Sequence, residues 1–329
     1  MAELSVASVS RRQVALALLA LLGSKRSVAD AAYPSRFVKL IVSHGAGSSP
    51  DLIARQLGAA LERRWQHPVV IDNRPGAGGT IGTQLLSRSP ADGYTLGYTT
   101  PSLVIHRALG MRLPYDIEND LRMVVQTGVQ PTVLLVRPAS PFRRVEELID
   151  HAKRHPGELI YASTGSGGVF HLCAELFRLT AGINLLHVPY SAGPAAMTDL
   201  IGGRVDLMFN ALNVALPQVR AGRLTALAVT GLRRSSVLPD VPTVAESGLP
   251  GYEVLSWGGL AVPAGVPDNI VTALNQHVNA ALAEPEMRGP LTESGYELVG
   301  GTPAQFSAFV RSELLKWTDV VRRAGVKAE

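Results

Sequence analysis

Three short segments bring together residue types that hold an anion without any charged side chain. The first is Ser43-His44-Gly45-Ala46-Gly47-Ser48-Ser49-Pro50-Asp51. Ser49 suits a helix N-cap, Pro50 the first helical position and Asp51 the first turn. The glycines ahead of the cap let the backbone approach a ligand, and the free N–H groups and dipole of the helix start favour negative charge. The second, Asn73-Arg74-Pro75-Gly76-Ala77-Gly78-Gly79-Thr80-Ile81-Gly82, reads as another strand-to-helix turn. It only partly matches a dinucleotide fingerprint, and Asp92 is a poor ribose partner, so no nucleotide is expected there. The third is Ser163-Thr164-Gly165-Ser166-Gly167-Gly168-Val169-Phe170-His171, also at a predicted helix start. Two such ends more than 100 residues apart, at 43–51 and 163–171, predict a clamp with one jaw on each of two lobes.

Catalytic constellations are missing by comparison. The eight histidines show no metal-ligand spacing. His151 and His155 lie four apart on a predicted helix, but beside Lys153 and Arg154 they read as a solvated face, so no metal site is expected. Gly165-Ser166-Gly167 is too short for a nucleophile elbow. His171 near a helix start reads more simply as a packing or capping residue than as a base. Acidic residues are scattered rather than paired, and no cofactor motif occurs. Tyr190 and Trp257 fit a cleft wall or a core equally well.

The elements that must position these loops follow from periodicity. Short apolar runs at 37–42, 69–71, 133–136, 159–163, 186–188, 205–209 and 224–229 read as strands. Helical periods begin at 51 and cover 80–86, 145–154, 169–180, 195–201, 268–283, 286–294 and 303–324. This alternation predicts an α/β fold in which each lobe is a mostly parallel sheet flanked by helices. The run at 254–262 is a candidate return crossing. The expected division is therefore an N-terminal lobe of 32–132 plus 255–329, with a second lobe of 133–254 inserted between two crossovers.

Residues 1–31 have the order of a secretory leader: Arg11-Arg12, an apolar run from Val14 to Leu22, then Ala29-Asp30-Ala31. The run is shorter than the ~20 residues that span a bilayer. Export to the periplasm with cleavage near Ala31 is expected, and Arg11-Arg12 leaves the twin-arginine and general routes both open. Cleavage lowers the formal charge from +4 to +2, with 27 basic residues against 25 acidic. No basic stripe remains, so nucleic acid is not an expected partner. Cys173 is the only cysteine and has no partner in the chain for a disulfide.

An ordered set of strings completes the reading: Tyr33-Pro34-Ser35, Asn73-Arg74-Pro75-Gly76-Ala77-Gly78-Gly79, Ala91-Asp92-Gly93-Tyr94-Thr95-Leu96 and Leu113-Pro114-Tyr115-Asp116. His171-Leu172, His187-Val188-Pro189-Tyr190, Ala226-Leu227-Ala228-Val229-Thr230 and Pro239-Asp240-Val241-Pro242-Thr243-Val244 follow. From about Tyr33 onward the chain resembles the Bug family, the periplasmic receptors of tripartite tricarboxylate transporters. The resemblance implies a two-lobed Venus-flytrap receptor, not an enzyme, with a small carboxylate between the lobes. Its oxygens are held largely by backbone N–H groups and water. The residues implied are His44, Gly45, Ala46, Gly47, Ser48 and Ser49 on the first loop, and Thr164, Ser166, Gly167, Gly168 and His171 on the second. Tyr190 and Asn210 complete the set. The implied partners are transporter membrane subunits or, alternatively, a sensor kinase, and a monomer is expected.

The chain departs from the family pattern where the first loop usually reads Pro-Phe-Pro-Pro-Gly-Gly-Ser-Thr-Asp. Only Gly47, Ser49 and Asp51 keep their types. Glycine has more backbone freedom than proline, so a looser loop is expected. Ser191-Ala192 replaces a frequent Lys-Gly, and Asn210 stands where an acidic residue is common. A ligand without a required amino group is the expected consequence.

Overall fold

A computed structural model describes residues 33–327 except 192, so the expected leader lies outside the described residues. The elements below all belong to the compact unit that begins at Arg36. Strand β1 (Val38–Val42) is buried along nearly its whole length, which is why it reads as an unbroken apolar run. It leads through the first loop to α1 (Ser49–Trp65), whose Ile53, Leu57 and Leu61 recur every four residues and are all buried. Then come β2 (Val69–Asn73), α2 (Thr80–Ser87), β3 (Thr95–Thr99), α3 (Ser102–Ala108) and β4 (Leu121–Val136). The middle of the chain runs α4 (Val145–Arg154), β5 (Ile160–Ser163), α5 (Val169–Ala181), β6 (Leu186–Pro189) and α6 (Gly193–Ile201). It continues with β7 (Leu207–Ala211), α7 (Leu212–Arg220) and β8 (Thr225–Val229). Strand β9 (Leu255–Pro263), α8 (Asp268–Leu282), α9 (Pro285–Glu293), β10 (Glu297–Gly300) and α10 (Pro303–Ala324) close it. Among the described residues no helix is long and apolar enough to cross a membrane.

The strands hydrogen-bond in the order β2-β1-β3-β9-β4-β7-β5-β6, with β8 and β10 also paired to β4. Parallel pairing is confined to two triplets, β2-β1-β3 and β7-β5-β6. Every pairing through β9 or β4 is antiparallel. The sheet as a whole is therefore mixed, with one parallel triplet in each half. Within the triplets successive strands are joined through helices, whereas β9 and β4 carry the chain between triplets and meet their neighbours head to tail.

Strand β4 is the largest departure from the periodicity. Its apolar end at 133–136 is legible, but the strand begins at Leu121 and spans 16 residues. The stretch 126–132 interrupts the run with Gln126, Thr127, Gly128, Gln130, Pro131 and Thr132. Tertiary partners take up several of these polar groups: Thr127 Oγ1 lies 2.9 Å from Tyr296 Oη, Gln130 Nε2 donates to Ser49 Oγ at 2.8 Å, and the Thr132 N–H donates to Thr230 Oγ1 at 2.8 Å. Residues 121–131 pair with β9 and residues 132–136 with β7, so one strand serves both halves of the sheet. Strands β3 and β10 and helices α3 and α7 also escape the periodicity. Helix α7 carries Pro217 inside it.

Trp257 on β9 belongs to the core and is only 2% exposed. Its Nε1–H and that of Trp317 on α10 both donate to Glu313 Oε2 at 3.0 Å, which ties the last helix to the central strand. The close approach depends on Gly258 and Gly259. A Cβ at either would fall 1.9 Å from Tyr98 Oη or 2.2 Å from the Phe306 ring.

Candidate functional site

In each parallel triplet the carboxyl ends of the strands point to one side, and the loops that leave them meet there. In open α/β sheets that is where ligands bind. A cavity of about 890 Å³ opens at this point. Its wall takes residues 43–50 from the end of β1, 75–79 from the end of β2, and 100–102 with His106 from the end of β3. From the other triplet come Thr164, Gly165, Ser166 and Gly168–Phe170 after β5, Ser191 and Gly193 after β6, and Asn210, Ala211, Val214 and Gln218 around the end of β7. Ser256 at the start of β9 joins them.

None of these wall residues is Asp, Glu, Lys or Arg. The starts of α1, α2, α5, α6 and α7 all contribute to the wall. At α1, α2, α5 and α7 no side chain caps the first turn. This differs from α10, where Thr302 and Gln305 cap reciprocally. Uncapped N–H groups at these helix starts offer partial positive charge to the wall without a formal charge. Ser48 Oγ is buried in the wall and has no partner in the protein.

The first loop is braced from behind. Asp51, at 1% exposure, accepts the Gly47 N–H at 2.8 Å, Asn73 Nδ2 at 2.8 Å and Arg55 Nε at 3.0 Å. Burial alone raises its carboxyl pKa, but these hydrogen bonds, led by Arg55, outweigh it and hold the group below the ordinary value. Asn73 Nδ2 also donates to the His44 carbonyl at 3.1 Å. The brace supplies the order that the missing prolines do not.

Two imidazoles provide the titratable chemistry of the wall. Burial, and then the neighbouring charge of His106, hold His44 down at about 4. Burial likewise lowers His106. His106 Nδ1 lies 3.3 Å from Thr80 Oγ1, and its ring packs so close to Gly78 that a Cβ there would sit 2.4 Å from Nε2. Both rings are neutral at pH 7 and serve as hydrogen-bond groups.

On the opposite wall, Ser163 Oγ donates to the Gly165 carbonyl at 3.1 Å and shapes the turn. Asn210 is 4% exposed, and its Oδ1 accepts the Ala211 N–H at 2.8 Å. Of the residues expected at the site, His44 to Ser49, Thr164, Ser166, Gly168 and Asn210 line the cavity. Gly167, His171 and Tyr190 do not border it and support the wall from behind. His171 Nδ1 accepts the Gly167 N–H at 2.8 Å, and its ring stacks on His187 at 4.1 Å. Tyr190 Oη donates to Asp199 Oδ2 at 2.7 Å. The 75–79 loop, Thr100, His106 and Ser256 are wall residues that the sequence reading did not select. The first carries the same strand-to-helix turn signal in its sequence. The others have no local signal.

A model of the tripartite tricarboxylate transporter family receptor, TctC, matches residues 53–326. The chain belongs to this receptor family. Its fold is the two-lobed α/β architecture of periplasmic binding proteins of the TctC and Bug type. Among curated relatives, a UPF0065 protein from the tcbD-tcbE intergenic region of Pseudomonas sp. strain P51 is 37% identical, covering 96% of this chain and 95% of its own. Protein BugT of Bordetella pertussis is 35% identical, covering 94% and 95%. Among solved structures, Rpa4515 of R. palustris with adipate superposes with a TM-score of 0.84 at 36% identity, covering 90% of this chain and 99% of its own. MatC of Rhodopseudomonas palustris with bound malate gives 0.80 at 31% identity, covering 88% and 100%. As a TctC-type chain, the protein is a solute-binding receptor.

Proposed function

We propose that this receptor captures a small di- or tricarboxylate in the 890 Å³ cavity and delivers it to the membrane subunits of a tripartite tricarboxylate transporter. The observation that carries the reading is a wall with no charged side chain to which five helix starts contribute, from both triplets. A ligand with carboxylates at both ends is neutralised by N–H dipoles on each side. Adipate in Rpa4515 and malate in MatC are of this class.

Export by the leader at 1–31 and a monomeric state in the periplasm belong to the same proposal. So does a division into 32–132 plus 255–329 and 133–254, which β4 and β9 support by crossing between the two triplets. No catalytic step is assigned. Asn210 offers an amide rather than a carboxylate to the cavity, which favours an acid without an amino group.

Thermal shift and calorimetry with malate, adipate, aspartate and glutamate test the ligand class. At least one plain dicarboxylate is expected to stabilise the protein. Stabilisation by the amino acids alone would sink the reading.

A further inference from the structure

The end of β5 that faces away from the cavity carries a cluster which the proposed capture does not use. His151 on α4 and His155, the residue just past its end, stack their rings at 4.6 Å and 26°. The chain then turns sharply through Pro156 and Gly157. The Glu158 N–H donates to the His155 carbonyl at 3.3 Å and the Gly157 N–H to the Asn184 carbonyl at 3.0 Å. This turn brings Glu158 back against the helix, so its two oxygens face the two rings separately. Oε1 lies 3.3 Å from His151 Nε2 and Oε2 3.2 Å from His155 Nδ1.

We infer that His151, His155 and Glu158 form a binding site for a divalent transition-metal ion. All three donor atoms lie within 4.8 Å of one another. Ligand atoms held about 2.0–2.1 Å from a tetrahedral ion are themselves about 3.4 Å apart. The two nitrogen–oxygen separations, 3.3 Å to Oε1 and 3.2 Å to Oε2, are each near that length.

Two imidazoles with one carboxylate suit zinc, cobalt, nickel or copper rather than magnesium or calcium. The side chains of His155 and Glu158 are 47% and 59% exposed, so the ion enters from solvent and water completes its coordination. His151 is more enclosed, and the Phe142 ring packs against it at 5.3 Å, fixing one donor in place. Of the neighbouring cations, Arg154 directs its Nε to the Asp150 carbonyl at 3.2 Å. A bound ion would pin the last turn of α4 to the turn that feeds β5. The whole of β5 separates it from the Thr164–Gly168 wall, so metal and carboxylate are expected to bind independently.

Beside Lys153 and Arg154 the two histidines read in sequence as a solvated face, and Glu158 joins them only through the turn. The test is calorimetric titration of the untagged full chain with zinc, and with cobalt followed by absorption, for the native protein, His155→Ala and Glu158→Gln. Both substitutions are at exposed positions and leave the fold intact, which a thermal melt verifies. One equivalent is expected in the native protein, with affinity reduced about tenfold or more in each variant. Absence of saturable binding at millimolar metal, or equal affinity in all three proteins, overturns the site.

Discussion

Asn73 Nδ2 donates to Asp51 Oδ1 at 2.8 Å, joining the end of β2 to the first turn of α1 beneath the loop that walls the cavity. The same nitrogen reaches the His44 carbonyl, and the other Asp51 oxygen holds the Gly47 N–H. Two residues 22 apart thus fix a loop whose own sequence is permissive.

Asp51→Asn keeps the shape but cannot accept from Gly47, Asn73 and Arg55 together. A loss of about 1–3 kcal/mol in stability is expected, with weaker ligand binding. Denaturant melts and calorimetry with malate or adipate check both. Because the folded carboxyl pKa is depressed, its contribution is complete above the unfolded value of 3.8 and is lost as pH falls through the lower folded value.

His44 responds to pH in a higher window. Its folded pKa of about 4 lies below the unfolded 6.5, so between these limits the unfolded chain binds more protons. Stability is undiminished above about 6.5 and falls toward pH 4, at no more than about 1.4 kcal/mol per pH unit from this group. A dianion in the cavity stabilises the imidazolium, so capture at pH 5 is expected to take up protons. Calorimetry at pH 5 in buffers of different ionisation enthalpy measures this, and His44→Gln should reduce it. Identical heats in every buffer would contradict it.

Gly82 behind the first loop and Gly45 within it should differ sharply. A Cβ at Gly82 would lie 2.8 Å from Ser43 Cα and 2.9 Å from the Arg74 carbonyl oxygen, both backbone atoms. Gly82→Ala is expected to cost roughly 1–3 kcal/mol and to displace the start of the first loop. A Cβ at Gly45 would meet no atom within 4 Å, so Gly45→Ala should fold normally. Paired melts and ligand titrations separate the two.

Glu313→Leu removes the acceptor shared by Trp257 and Trp317 and leaves two buried indole N–H groups unpaired. A loss of about 2–4 kcal/mol is expected. Carboxylate affinity at temperatures well below the melt should be unchanged, because this cluster does not border the cavity.

The sequence by itself determined the repeated strand-to-helix units and most of their boundaries. Helix α4 and helix α10 begin and end where the apolar period does, because period and turn chemistry are properties of adjacent residues. It also marked the Gly/Ser loops at 43–51 and 163–171, whose free helix starts are local features. The tertiary structure alone decided the rest. The polar half of β4 becomes a strand only when Tyr296, Ser49 and Thr230 supply partners. His106, Ser256 and the 75–79 loop join the cavity only when both triplets share one sheet. Tyr190 and Trp257, ambiguous as isolated aromatics, are settled by Asp199 and Glu313. Glu158 meets His151 and His155 through a turn held by Asn184, from another segment. Contacts between distant residues depend on how sheets assemble, and a local pattern of apolar and polar side chains does not encode which buried polar group will find which partner.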